Sequence, residues 1–103
     1  CALAKRYIDA NYAKNITLDS LAEITHINKF YLAHSFTECI GQSPINYLTD
    51  RRLEACKELL TSSNLSVAQV ASSVGFSSQS YFSQIFRKKT GMTPRQYRNR
   101  YAK

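Results

Sequence analysis

The chain has 103 residues, 44% hydrophobic and 12% aromatic, with a formal net charge of +7 and three cysteines. That size supports one small domain, or two very small ones, with an ordinary apolar core. No apolar run approaches the ~20 residues of a membrane-spanning helix, no signal peptide is visible, and no membrane partner is expected. Cys1, Cys39 and Cys56 are odd in number and widely spaced, and His26 and His34 stand apart, so no metal-binding motif forms. A reduced, cytoplasmic protein without a cofactor is the expectation. The first residue is Cys rather than Met, which suggests a domain cut from a longer chain.

In chain order, residues 2–13 place Leu3, Tyr7, Ile8 and Tyr12 on one side of a first helix, with Lys5, Arg6 and Asp9 facing away. Thr17 caps a second helix over Leu18, Leu21, Ala22 and Ile24, with Asp19 in its first turn, where a negative charge suits the macrodipole. His26 occupies the turn, and Asn28 caps a third helix carrying Tyr31, Leu32, Phe36 and Ile40 to Gly41. Ser43-Pro44 then starts the longest helix, because a proline at the first helical position gives up an N–H that has no partner anyway. Ile45, Leu48, Leu53, Cys56, Leu59 and Leu60 form its expected buried stripe. At 1.5 Å per residue it spans roughly 27–30 Å. On its exposed side, Arg51 is expected to pair with Glu54 or Glu58, and Arg52 stays open.

Ser66 and Gln69 form a capping box ahead of Val67, Val70, Ala71 and Val74. A tight turn follows at Gly75, then a second cap at Ser78 and a helix with Phe82, Ile85 and Phe86 on its inward face. Its other face carries Gln79, Ser80, Ser83, Gln84 and Arg87. Thr93-Pro94 repeats the cap-plus-proline start, with Tyr97 and Tyr101 on the core side of a last helix. The tyrosines and phenylalanines recur at helical spacing and read as core, and Cys39 and Cys56 read as inert small hydrophobes beside them. Nothing alternates as a strand does. The fold class expected is therefore all-α, with about seven helices.

The two halves repeat each other. Thr17, Leu18, Leu21, Ala22 and Ile27 match Ser66, Val67, Val70, Ala71 and Phe76 at an offset of 49. From Asn28 the offset is 50, pairing Tyr31/Tyr81, Leu32/Phe82, Phe36/Phe86, Gly41/Gly91, Pro44/Pro94 and Tyr47/Tyr97. The chain thus reads as two helix-turn-helix units: a first subdomain at about residues 1–42, a linker helix at about 43–62, and a second subdomain at about 63–103. A helix with a packed back and an amide, hydroxyl and guanidinium front suits a major groove. Two such units on one connector suit successive groove segments ~34 Å apart. Charge agrees with a polyanionic partner: residues 1–58 hold seven basic and seven acidic side chains, whereas 59–103 hold seven basic and no acidic ones.

The stretch VGFSSQSYFSQIFRKKTGMTPRQYR, together with GQSPINYLTDRRLEACKELL, resembles the DNA-binding domain of the AraC/XylS family of bacterial transcription regulators. The resemblance runs from about Leu18 to Arg98. Its most specific part is G-F-x-x-x-x-Y-F-x-x-x-F-R-K-x-x-G-x-T-P-x-x-Y-R. It implies an all-α pair of subdomains, each reading bases with its second helix. Carried over, the base-reading positions are Phe30, Ala33 and His34 in the first unit, and Gln79, Ser80, Ser83 and Gln84 in the second. Phe30 is placed either in packing or against a thymine methyl. Lys29, Arg87, Lys88, Lys89, Arg95 and Arg98 are the expected phosphate contacts. The first unit departs from the family pattern, with His34, Thr37 and Glu38 where relatives often carry Arg and Lys. The partners implied are double-stranded DNA and RNA polymerase, with an effector-binding, dimerising or receiver domain upstream. No catalytic residue is expected: no cysteine has a basic or histidine neighbour of the kind that activates a nucleophile.

Overall fold

The computed structural model describes residues 2–102; Cys1 and Lys103, and with them any role for Cys1 at a domain edge or for the Lys103 charge, lie outside the described residues. Seven helices and no strand are found among the described residues: α1 Ala2–Asn11, α2 Leu18–Thr25, α3 Lys29–Ile40, α4 Pro44–Ser62, α5 Val67–Ser73, α6 Gln79–Thr90 and α7 Pro94–Tyr101. The chain divides into two units after Arg51, inside α4. The linker helix therefore belongs by halves to the two cores.

The first unit encloses Ala4, Ile8, Ile16, Leu21, Leu32, Phe36 and Leu48. The helix-turn-helix begins at Thr17, whose hydroxyl accepts from the Ser20 N–H at 3.0 Å while Ser20 returns the bond to the Thr17 N–H at 2.9 Å. Its turn is made by His26 in the left-handed region, φ 58°. Asn28 caps α3 by accepting from the Phe30 N–H at 2.9 Å.

On α1 the buried stripe is Ala4 and Ile8, and Leu3 is exposed. Asp9, expected to face away, instead accepts from the Tyr47 hydroxyl at 2.6 Å, from Lys5 Nζ at 3.1 Å and from Arg51 Nε at 3.1 Å. Arg51 therefore pairs with Asp9, and its guanidinium lies over the Tyr12 ring at 5.4 Å. A carboxylate on a neighbouring helix wins because the half-buried site is poorly solvated, whereas Glu54, out in water, pairs with Lys57. Burial alone would lift the Asp9 carboxyl, but its hydrogen bonds from Tyr47 and Lys5 and the two nearby cations outweigh that and hold its pKa below the usual carboxylate value.

The second unit buries Leu53, Cys56 and Leu60 of α4 with Val70, Ala71, Val74, Phe76, Phe82 and Phe86. Ser66 and Gln69 form the expected capping box, at 3.1 and 2.9 Å, and Gly75 makes the turn with φ 103°. Its rings pack in a row, Phe76–Phe82 at 5.1 Å, Phe82–Phe86 at 5.6 Å and Phe86–Tyr97 at 5.5 Å between centroids. The single stripe expected for α4 is in fact two. Pro44 and Leu48 are buried on one face, and Leu53, Cys56 and Leu60 on a face turned by roughly 100–140°. Averaging the two faces wrongly placed Ile45, which is 41% exposed, and Leu59, which is half-buried, in the core. Ile24, Tyr31, Cys39 and Tyr101 are exposed as well, each lying on the margin of its helix's apolar stripe. Tyr101 stacks beside Tyr97 at 4.7 Å.

Candidate nucleic-acid interface

In each unit the second helix of the helix-turn-helix is held by a cap at its start, a left-handed glycine at its end and two fully buried side chains along its back. For α3 these are Asn28, Gly41, Leu32 and Phe36; for α6 they are Ser78, Gly91, Phe82 and Phe86. From position 31 to 47 the degree of burial matches that from 81 to 97 at every residue. The repeat seen in the sequence is thus a repeat of environments. Both helices are fixed from behind and free in front.

The front of α6 brings together Gln79, Ser80 and Gln84, all exposed, with Ser83 half-buried beside them. Amides and hydroxyls of this kind can donate and accept at base edges. Arg87, Lys88 and Lys89 are exposed in the last turn of the same helix. There they complement the negative end of the helix dipole as well as offering charge to a polyanion. Arg95 is exposed on α7.

Arg98 behaves differently. Its Nε donates to the Leu60 carbonyl at 2.9 Å and its Nη2 to the Leu65 carbonyl. Those acceptors close the end of α4 and the loop behind it, where the carbonyls have no helical partner. The guanidinium expected on a phosphate is therefore spent inside the fold.

The front of α3 is built of other chemistry. Phe30 is 73% exposed, which excludes packing as its role, and Lys29 Nζ lies over its ring at 5.5 Å. Lys29 also pairs with Asp19 at 3.2 Å. His34 is exposed and meets Glu38 at 3.0 Å one turn on, while Ala33 is half-buried. The structure brings Phe30, Ala33 and His34 to one helix, but each nearby charge has an opposite partner.

Tyr31 and Tyr81, placed in the core by their spacing, are 66% and 52% exposed. Their wheel positions could have shown it. Each lies about 100° from one buried neighbour and further from the other. Arg52 is half-buried with its guanidinium 5.8 Å from the Phe76 ring centroid. Among the described residues no cluster of three or more His, Cys, Asp or Glu could hold a metal ion, and no helix is long and apolar enough to cross a membrane.

Residues 21–100 match the family described as a helix-turn-helix domain. The fold matches solved AraC-type regulators, including a probable AraC family transcriptional regulator from Rhodopseudomonas palustris, at 27% identity and TM-score 0.85 over 97% of this chain and 94% of that one. The chain belongs to the AraC-type helix-turn-helix family. The C-terminal domain of AraT, a response regulator from Geobacillus stearothermophilus, superposes on this AraC-type domain with TM-score 0.96 at 35% identity, covering 99% of this chain and 85% of that one. The DNA-binding domain of AdpA, a global transcriptional factor solved in complex with a target DNA, gives TM-score 0.93 at 25% identity over 97% and 90%. Among curated proteins, the bifunctional transcriptional activator and DNA repair enzyme AdaA of Bacillus subtilis is 34% identical over 93% of this chain and 46% of its own length. The transcriptional regulator YobQ of the same organism is 40% identical over 90% and 39%. The AraC-type domain thus spans less than half the length of these two curated relatives.

Proposed function

We propose that this AraC-type domain binds double-stranded DNA sequence-specifically as the DNA-binding part of a bacterial transcription regulator, with α3 and α6 as readers of successive major-groove segments. The observation that carries the reading is the duplicated environment: two helices, each locked from behind and each presenting a front free of packing. Base reading falls to Gln79, Ser80, Ser83 and Gln84 on α6 and to Phe30, Ala33 and His34 on α3. Phosphate contacts fall to Arg87, Lys88, Lys89 and Arg95, with Lys29 a smaller contributor because Asp19 already holds it. Arg98 leaves the set, since its donors are engaged by backbone carbonyls.

A role in binding fits the cysteines better than a catalytic one. Burial pushes the Cys56 thiol up to about 12, so it is neither ionised nor reachable. Cys39 is exposed, with Glu38 rather than a basic residue beside it in the sequence. The whole protein carries, in this reading, a signal-receiving domain outside this stretch, and acts through RNA polymerase.

The deciding experiment is selection of bound sequences from a random duplex pool, followed by titration of Gln84→Ala. The substitution should weaken binding to the selected site by ~1–3 kcal/mol and leave random duplex almost unchanged. Equal loss on both removes Gln84 from the base-reading set. Inserting ~5 bp between the two half-sites turns one of them to the opposite face of the duplex. Unchanged affinity after that insertion would leave a single reader helix.

A further inference from the structure

Tyr81, a motif position to which the resemblance gives no role, lies at the margin of the α6 front. Tyr81, Gln84 and Lys88 follow one another at three and four residues' spacing and so share the outward face. Tyr81 holds the edge of that face nearest the core. Its ring is tilted against Phe76, with centroids 6.2 Å apart, and yet remains 52% exposed. Phe76 in turn lies under the Arg52 guanidinium at 5.8 Å. The order Arg52, Phe76, Tyr81 is a short stack of one cation and two rings, all within the second unit.

A stack of this kind helps to orient both of its donors. The phenol is stiffened by its contact with Phe76, and a guanidinium over a ring keeps its planar fork oriented. Burial pushes the Arg52 pKa down and the nearby Tyr81 partly offsets this, which places the two within electrostatic reach; the guanidinium stays charged. A helix of roughly 10–12 Å diameter fills a major groove about 12 Å wide, so the margins of its front meet the groove walls, which are phosphates. We propose that the Tyr81 hydroxyl and the Arg52 guanidinium together hold one DNA phosphate and set the depth and angle of α6 in the groove. The proposal rests on the duplex-binding reading above.

The first unit has half of this device. Tyr31 occupies the position of Tyr81, but Ile27 stands where Phe76 stands, so no ring backs the phenol. Tyr31→Phe is accordingly the internal comparison.

The test measures affinity for a selected and a random duplex with the wild type, Tyr81→Phe, Arg52→Lys and Arg52→Gln, after melting curves establish that each is folded. Each duplex is also made with single phosphates replaced by neutral methylphosphonate. Tyr81→Phe should weaken both duplexes by the same factor, roughly 5- to 10-fold. Arg52→Gln should lower the slope of log affinity against log salt by ~0.9, whereas Arg52→Lys should keep the slope and still weaken binding. One methylphosphonate position should reproduce the loss and erase the effect of all three substitutions. Tyr31→Phe should change affinity by less than about twofold. The clamp is overturned if Tyr81→Phe and Arg52→Gln bind as the wild type does, if their losses trace to different phosphates, or if the Tyr81→Phe loss is confined to the selected duplex. Failure of the wild type to bind any duplex would instead overturn the duplex-binding reading itself.

Discussion

The two units share a scaffold and differ in what they mount on it. Behind the reader helices the agreement is close: Leu32 and Phe36 answer Phe82 and Phe86, and Gly41 answers Gly91 in the same left-handed conformation. In front it fails. Residues 1–51 carry five basic and five acidic side chains, while residues 52–103 carry nine basic and two acidic. Glu38, paired with His34, stands where Lys88 stands, and Lys29 is neutralised by Asp19. Packing constrains the back of a reader helix to a few volumes, whereas the front answers only to the partner. On the proposed duplex-binding reading, the second unit supplies charge-driven affinity and the first supplies selection through apolar and uncharged contacts.

The largest test of the shared scaffold is Phe86→Ala against Phe36→Ala. Both side chains are fully buried at equivalent positions, so each truncation should cost about 3–5 kcal/mol of stability by denaturant titration. Costs differing by more than that range would show that the environments are not equivalent. The division of charge is probed next by salt titration. Neutralising Arg87 and Lys88 together should lower the salt slope by ~2, and Lys29→Gln by one at most. Glu38→Lys should tighten random-duplex binding, because it removes a repulsion and adds a phosphate partner. A Lys29 effect as large as that of Arg87 and Lys88 combined would refute the asymmetry.

A smaller difference lies in how the units are locked. The first uses Asp9 with Tyr47, Lys5 and Arg51, and the second uses Arg98 on two carbonyls. Because the Asp9 pKa is depressed on folding, its contribution is fully present above the unfolded value of about 3.9 and is lost as pH falls through the folded value. Asp9→Asn should therefore cost about 1 kcal/mol at neutral pH and almost nothing at pH ~2. A loss independent of pH would mean that packing, not the carboxylate charge, is at work. The Arg98 lock involves no titrating carboxylate and should show no such dependence. The smallest effect is expected at the turns, where His26 adopts φ 58° and Gly75 does the same work at φ 103°. His26→Gly should raise stability by about 0.5–1 kcal/mol, read from the thermal midpoint.

What could be read from the sequence follows from the range over which each signal acts. Caps are local, so Thr17, Asn28, Ser66, Ser78 and Thr93 all start helices where expected. The repeat is a pattern in one dimension and survives intact. The helix α4 defeated a single-stripe reading because its two halves bury different faces, and periodicity averages over both. Arg98 escaped for a different reason. Its acceptors lie 33 and 38 residues away in sequence, and no local pattern distinguishes a guanidinium bound for a carbonyl from one bound for a phosphate. Phe30 and Tyr31 show the limit from the other side. Aromatic residues at helical spacing usually mean core, and here they mark a surface.

The Arg98 tether also decides where this polypeptide can be cut. A truncation ending before residue 97 would spare the reader helix α6 and every side chain on its front. It would nonetheless strip the donors from the Leu60 and Leu65 carbonyls and remove Tyr97 from the Phe86 ring. The last turn of α4 would fray, and a protease would find it open at the Ser62-Ser63-Asn64 connection. The shortest durable fragment of the second half therefore extends through Arg98, although the last phosphate contact in the proposed reading is Arg95.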